Sequence, residues 1–293
     1  MRRKITISEL VAAAEQRGCP IWQVVLEREE RLQGTERQDI WHKMKEYWMV
    51  MKGSLDAGTK PGNRSLSGLV GEEGALLTRY IEKTKPLSGY GSVLAAARAM
   101  GVAVVNASQG RIVAAPTAGS CGILPAVLAT VAEETGAVED AVVGALFTAA
   151  GVGMVIDEHA GTAGAKSGCQ AECGSASCMA AVAAAEMAGG TPRQAANAGA
   201  LALKNFLGLV CDPVAGLVEI PCVKRNAIGA GVALLAADMA LAGIESKIPL
   251  DEVIQAMKEI GDAMPASLKE TSLAGLAGTP TAREIEKRMN EID

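Results

Sequence analysis

Aromatic residues are scarce in this chain: two Phe, three Trp and three Tyr make up 3% of 293 residues. Strands favour aromatic and β-branched side chains, so a sandwich or barrel is a poor expectation for this composition. Ala and Gly abound instead, and an Ala-rich interior suits helices that approach closely. Positive charge is also short. Lys and Arg number 28 against 33 Asp and Glu, a net charge of −5 that argues against the basic footprint of a nucleic-acid binder. No apolar run reaches the roughly 20 residues that a bilayer span needs. The longest, AVVGALFTAAGVGMVI at 141–156, reads as a buried central helix, and no membrane partner is expected. The basic start MRRK leads straight to a helix-start pattern at Ser8 without an apolar signal core, so a cytoplasmic location is expected. No P-loop lysine signature appears, and no G-x-G-x-x-G follows a strand-like run.

What is present is punctuation. Ser8 can cap a first helix ending at Gly18, and Pro20 opens a second, IWQVVLEREERLQ, that stops at Gly34. Thr35 starts a third, with Trp41, Tyr47 and Trp48 at helical spacing as packing residues. These N-terminal helices, 1–60, run into DAGTKPGNRSLSGLVGEEG, 56–74, a flexible loop that can serve as a hinge or lie over a site. Over 90–293 the pattern is apolar helices joined by glycine-rich loops. The loops are GRIVAAPTAGSCG (110–122), HAGTAGAKSGCQAECGSASC (159–178) and CDPVAGLVEIPCVKRN (211–226). Thr191 with Gln194, and Thr281 with Glu284, mark two further helix starts. Only GRIVAA hints at strand-like alternation. The expected fold is mainly α, one Ala/Gly-rich helical domain over 1–293 with its chemistry in glycine-rich loops.

Seven cysteines in a chain without a secretory signal point to thiol or metal chemistry rather than disulfides. Cys19, at a helix boundary, reads as structural. Cys121 lies in TAGSCG at the mouth of a helix N-terminus; it is either a thiol with a lowered pKa or small loop filler. Cys169, Cys173 and Cys178 crowd together, and the i, i+4 spacing puts the first two on one face if the segment is helical. Cys211 and Cys222 cannot share a regular helix, because Pro213 and Pro221 interrupt it. Thiolates on stiff loops suit zinc or an iron–sulfur cluster, and spacing alone names neither. Glycine-rich loops between helices let backbone N–H groups approach a carboxylate or phosphate, or simply allow tight packing.

APTAGSCGILPAVL (115–128), GCQAECGSAS (168–177) and CDPVAGLVEIPCVKRNA (211–227) together resemble the α subunit of the iron–sulfur-dependent L-serine dehydratases. VNASQGRI (105–112), EMAGGTP (186–192) and DMALAGIESKIPLDEV (238–253) fit the same family, so the likeness runs from about residue 6 to 290. The resemblance implies a serine dehydratase alpha-chain-like fold and a lyase carrying a 4Fe–4S cluster on Cys169, Cys211 and Cys222, with one iron open to substrate. Cys173 and Cys178 are not counted as ligands. A base would remove the α-proton of serine, water would leave, and the aminoacrylate would hydrolyse to pyruvate and ammonia. Asn106, Thr117 and Gly119 are expected around the small amino-acid substrate, with Thr162, Lys224, Arg225 and Asn226 as further contacts. His159, and Lys166 if desolvated, are the candidate acid–base groups. A separate β subunit and a hetero-oligomer are implied, and the NEID end offers no cysteine to cap the open iron.

Two stretches depart from the family pattern. HAGTAGAKSG (159–168) stands where NASISGAEGG is usual, and SLSGLVGEEG (65–74) differs from S-x-T-G-L-T-G-G-D. These changes bear on the substrate and leave threonine, cysteine or a hydroxy acid as alternatives. A pyridoxal-phosphate dehydratase would need a Schiff-base lysine, and none is convincingly positioned. A cysteine-based iron or redox sensor would leave the substrate-like loops without a purpose.

Overall fold

The computed structural model describes residues 4–291, so the first three residues of the basic start and the last two of the NEID end lie outside it. Among the described residues every regular element is a helix, and one isolated bridge joins Cys211 to Lys269. The GRIVAA stretch forms no strand. Helices flank it on both sides, and a strand without a ladder partner has nowhere to send its backbone hydrogen bonds.

The first helices follow their punctuation closely. α1 (Ile7–Arg17) ends at Gly18, which takes the left-handed conformation, and α2 (Ile21–Gln33) runs from Pro20 to a left-handed Gly34. The α1 cap is Thr6 rather than Ser8. Thr6 and Glu9 form a reciprocal capping box, while the Ser8 hydroxyl donates to Asp251 at 2.5 Å. α3 (Arg37–Gly58) starts after Glu36 rather than at Thr35 and absorbs the first residues of the expected 56–74 loop. Trp41 stacks 5.6 Å from Phe147 and 5.5 Å from Trp22, and Trp48 is buried. Tyr47 lies outside this packing, 43% exposed beneath the Lys43 ammonium.

α4 (Glu73–Lys83) and α5 (Tyr90–Ala107) cross α3 at backbone contact. A Cβ on Gly58 would stand 2.2 Å from the Gly101 carbonyl carbon, so only glycine admits this crossing. α6 (Ile123–Thr135) and α7 (Glu139–His159) follow, then the four-residue α8 (Gly164–Ser167) and a π-helical turn, Gln170–Gly174. α9 (Ser175–Met187) leads to α10 (Pro192–Lys204), which Thr191 and Gln194 cap as their spacing predicts. α11 (Cys222–Leu241), α12 (Leu250–Ala263) and α13 (Pro280–Asn290) complete the chain. The α13 cap is Thr279 rather than Thr281, because Pro280 takes the first helical position.

α9 is the axis of the core. α6, α7, α10 and α11 pack around it, and Ala176, Ala180, Ala181, Ala183 and Ala185 have no exposed surface. Methyl groups in place of bulky side chains allow close helix packing. α5 and α7 are both long and apolar enough to cross a bilayer, yet 72% of the most apolar window of α7 is buried inside the protein. The 141–156 run lies in a largely buried helix, as its composition suggests, but the centre of the core is α9 rather than α7.

Candidate functional site

The loop 211–221 is held from behind by residues 266–276. Cys211 donates its N–H to the Leu268 carbonyl at 2.9 Å and accepts from the Glu270 N–H at 2.7 Å. Asp212, 3% exposed, accepts from Arg225 Nη2 at 2.9 Å and from the Leu276 N–H at 2.7 Å. The Ser272 hydroxyl donates to the Pro213 carbonyl at 2.6 Å and accepts from the Gly216 N–H at 3.1 Å. Ala215, Glu270 and Ser272 all carry positive φ, between 54° and 62°. Each such non-glycine residue costs roughly 1–2 kcal/mol, so the surrounding bonds must hold this region in shape.

Three thiols converge here. Cys169 precedes the π-helical turn, Cys211 ends an irregular segment, and Cys222 opens α11; all are buried. Each is close enough to the others to alter its neighbours' ionisation. Burial lifts the Cys222 thiol to about 12, with Cys169 and Glu172 adding negative potential. Burial also raises Cys211, reinforced by Glu172, Cys169, Glu270 and Cys222. Cys169 moves the other way: a hydrogen bond with Cys173 lowers its pKa, and the Arg225 guanidinium beside it adds to that effect. The i, i+4 spacing of Cys169 and Cys173 thus brings two thiols together, through a π turn rather than an α-helix.

Glu172 is a further candidate in this site, beyond the residues expected from the sequence. Its carboxylate lies among the thiols, accepts from the Cys211 thiol at 3.8 Å and takes a hydrogen bond from Thr117. Desolvation raises its pKa, partly opposed by these bonds and by Arg225. The signal was present: Glu172 is the lone charge between Lys166 and Glu186, in a run otherwise too apolar to tolerate one. Gly164 makes room beside it. A Cβ there would stand 2.6 Å from Glu172 Oε2 and 3.0 Å from Cys211 Sγ.

The PTAGS loop closes another side. Thr117 Oγ1 lies 3.1 Å from Ser120 Oγ, and a Cβ on Gly119 would stand 3.4 Å from both Glu172 Oε1 and Val218 Cγ1. The Asn106 amide donates to the Ala118 carbonyl at 3.4 Å. Asn226, expected to touch substrate, is wholly buried with both ends of its amide in use. Its Nδ2 donates to the Gly119 and Cys222 carbonyls at 2.8 and 2.9 Å, and its Oδ1 accepts from the Gly122 N–H at 2.9 Å. It ties the PTAGS loop to α11 and has no group left for a ligand.

Other expected residues stand elsewhere. Lys224 pairs at the surface with Glu73 at 2.5 Å, and Thr162 donates to Asp157 at 2.9 Å. His159 Nε2 meets the Ile5 carbonyl at 3.0 Å and so binds the N-terminal segment. Lys166 is exposed on α8, which removes the desolvation that its role as a base required. Arg225 does belong to the site, where it also hydrogen-bonds the Cys169 sulfur. Cys121 is fully buried, and burial lifts its thiol to about 12, outweighing any lowering by the helix N-terminus.

Among the described residues no three His, Cys, Asp or Glu side chains close on one point as a single metal ion requires. Donors to a cluster each bind a different iron and stand further apart. Three thiols from separate segments are the kind of donors such a group takes, the Arg225 guanidinium beside Cys169 offsets their charge, and the missing Cβ of Gly164 leaves room next to Cys211.

Residues 16–277 match the family described as serine dehydratase alpha chain. The chain is 48% identical over 283 residues to the probable L-serine dehydratase, alpha chain, of Bacillus subtilis, covering 97% of this chain and 94% of that one. It is 42% identical to the L-serine dehydratase, alpha chain, of Peptoniphilus asaccharolyticus, over 96% of this chain and 97% of that one. The L-serine dehydratase of Streptomyces coelicolor is 40% identical over 93% of this chain, which spans 60% of that longer protein.

Proposed function

This chain belongs to the serine dehydratase alpha chain family and is a lyase, and from that premise we propose that it removes water from L-serine to give pyruvate and ammonia. We further infer that Cys169, Cys211 and Cys222 hold a 4Fe–4S cluster. One observation carries the reading: three buried thiols from separate segments gather beside the Glu172 carboxylate and the Arg225 guanidinium. When bound, such a cluster supplies an iron without a protein ligand, a Lewis acid toward a hydroxyl leaving group.

The chain's own residues do the rest. Arg225 offsets negative charge at Cys169 and is itself fixed by Asp212 and the Val210 carbonyl. Asn106, Thr117 and Gly119 form the side that receives the substrate carboxylate, to which Thr117 donates once its one O–H turns away from Glu172. Glu172 takes the α-proton on a carboxylate oxygen. The electrons of that C–H bond form the Cα=Cβ bond, and the β-hydroxyl leaves with its bonding pair, taking up the proton that Glu172 has just accepted to depart as water. The aminoacrylate tautomerises to the imine and hydrolyses outside the site. Cys173 and Cys178 are not ligands in this scheme, and His159, Thr162 and Lys166 take no part.

A separate beta chain is inferred as partner, since the relatives of equal length are named alpha chains and the Streptomyces relative is longer. A reducing cytoplasmic setting suits seven free cysteines. The test is anaerobic reconstitution with that partner, followed by steady-state assay on L-serine, L-threonine, L-cysteine and a hydroxy acid. Iron-dependent turnover with the highest kcat/KM for L-serine is expected. An iron-loaded complex that leaves L-serine unchanged would overturn the proposal.

A further inference from the structure

Residues 62–74 form a strap that grips both sides of the turn bearing Cys222. Glu219, 5% exposed, receives the hydroxyls of Ser65 at 2.7 Å and Ser67 at 2.6 Å, both on the same carboxylate oxygen. Val70 lies in a small apolar cluster, apart from the main core, with Val223, Met100, Ala103 and Val104, and Ile220 packs against it. Glu73 accepts from the Gly71 N–H at 2.7 Å and pairs with Lys224 at 2.5 Å. The three attachments therefore reach residues 219, 220, 223 and 224, on either side of Cys222.

We infer that Ser65, Ser67 and Glu219 are positioning residues, a clasp through which the strap fixes the turn that carries the Cys222 sulfur. The hydroxyl–carboxylate bonds are the part of this arrangement with directional geometry. Charge-assisted hydrogen bonds hold their partners more tightly than neutral ones, and a buried carboxylate stripped of them is left with an unmet demand. Val70 supplies contact without direction, and the Glu73–Lys224 pair is exposed on the lysine side and so contributes little by itself. The Gly- and Ser-rich composition of the strap reflects this clasp: two small hydroxyl side chains reach one buried oxygen without filling the space around it. The inference rests on the proposed role of Cys222.

The test compares the full chain, reconstituted with its partner, as wild type, Ser65→Ala/Ser67→Ala and Ser67→Thr. Amide exchange over residues 219–224 is followed in the cluster-free protein, and chelator-driven iron release in the loaded one, from the loss of visible cluster absorption. In the double variant both are expected to rise, iron release by about tenfold or more, because two bonds to one buried charged acceptor are lost. Ser67→Thr, which keeps the hydroxyl, should restore the wild-type rates. Unchanged exchange and release in the double variant would overturn the clasp. Should the double variant fail to fold, Ser67→Ala alone supports the inference by faster release and overturns it by a wild-type rate. A wild-type chain that takes up no iron would instead defeat the cluster assignment, and the exchange measurement would still judge the clasp.

Discussion

Five of the six buried cysteines divide between two regions that treat the same side chain in different ways. Cys121 and Cys178 sit against the alanine-lined helices of the core, where desolvation alone raises their thiols. Cys169, Cys211 and Cys222 are almost as buried, but their neighbours are Glu172, Arg225, Asp212 and one another. Burial therefore does not mark a functional thiol. What marks it is that polar groups from several loops have been taken out of water together, at a cost that helix packing never requires.

The sharpest way to break this comparison is to remove one sulfur from each region. Cys211→Ser or Cys222→Ser should abolish cluster binding and lower L-serine turnover beyond the roughly 10–100-fold carried by outer partners of a metal site. Iron analysis and steady-state kinetics check this together. Glu172→Gln comes next: kcat should fall by about 10²–10⁴ while iron content stays at the wild-type level, which separates a proton carrier from a ligand. Asp212→Asn weakens the hold on Arg225 and the loop, so cluster affinity should drop by about 10–100-fold in an anaerobic chelator titration. Gly164→Ala pushes a methyl group to within 3.0 Å of Cys211 Sγ and should cost about 1–3 kcal/mol in denaturant unfolding of the cluster-free chain. Cys178→Ala should have the smallest effect, about 1 kcal/mol of stability, with iron content and turnover unchanged.

The same contrast explains what was legible in the amino-acid sequence. Helix ends at Gly18, Gly34 and Thr191 were readable because each depends on local chemistry: a left-handed glycine or a capping box. The caps at Thr6 and Thr279 lie two residues before the expected ones: the tertiary bond from Ser8 to Asp251 takes Ser8 out of the capping role, and Pro280 fixes the first helical position of α13. The three glycine-rich loops stand out in the sequence as candidates, and the fold brings part of each to one place while directing other residues elsewhere. Asn226 became a buried tie, Lys224 turned to the surface, and His159 turned to Ile5. No local pattern encodes those directions. Glu172 and Glu219 show the converse, since each finds its hydrogen-bond partners more than 35 positions away in the chain.

The most direct measurement is iron and sulfide content after anaerobic reconstitution of the wild type and of Cys169→Ser, Cys173→Ser, Cys178→Ala, Cys211→Ser and Cys222→Ser. About four irons and four sulfides per chain are expected in the wild type, Cys173→Ser and Cys178→Ala, with none retained by the other three. Full iron retention in Cys169→Ser, Cys211→Ser or Cys222→Ser would contradict the account.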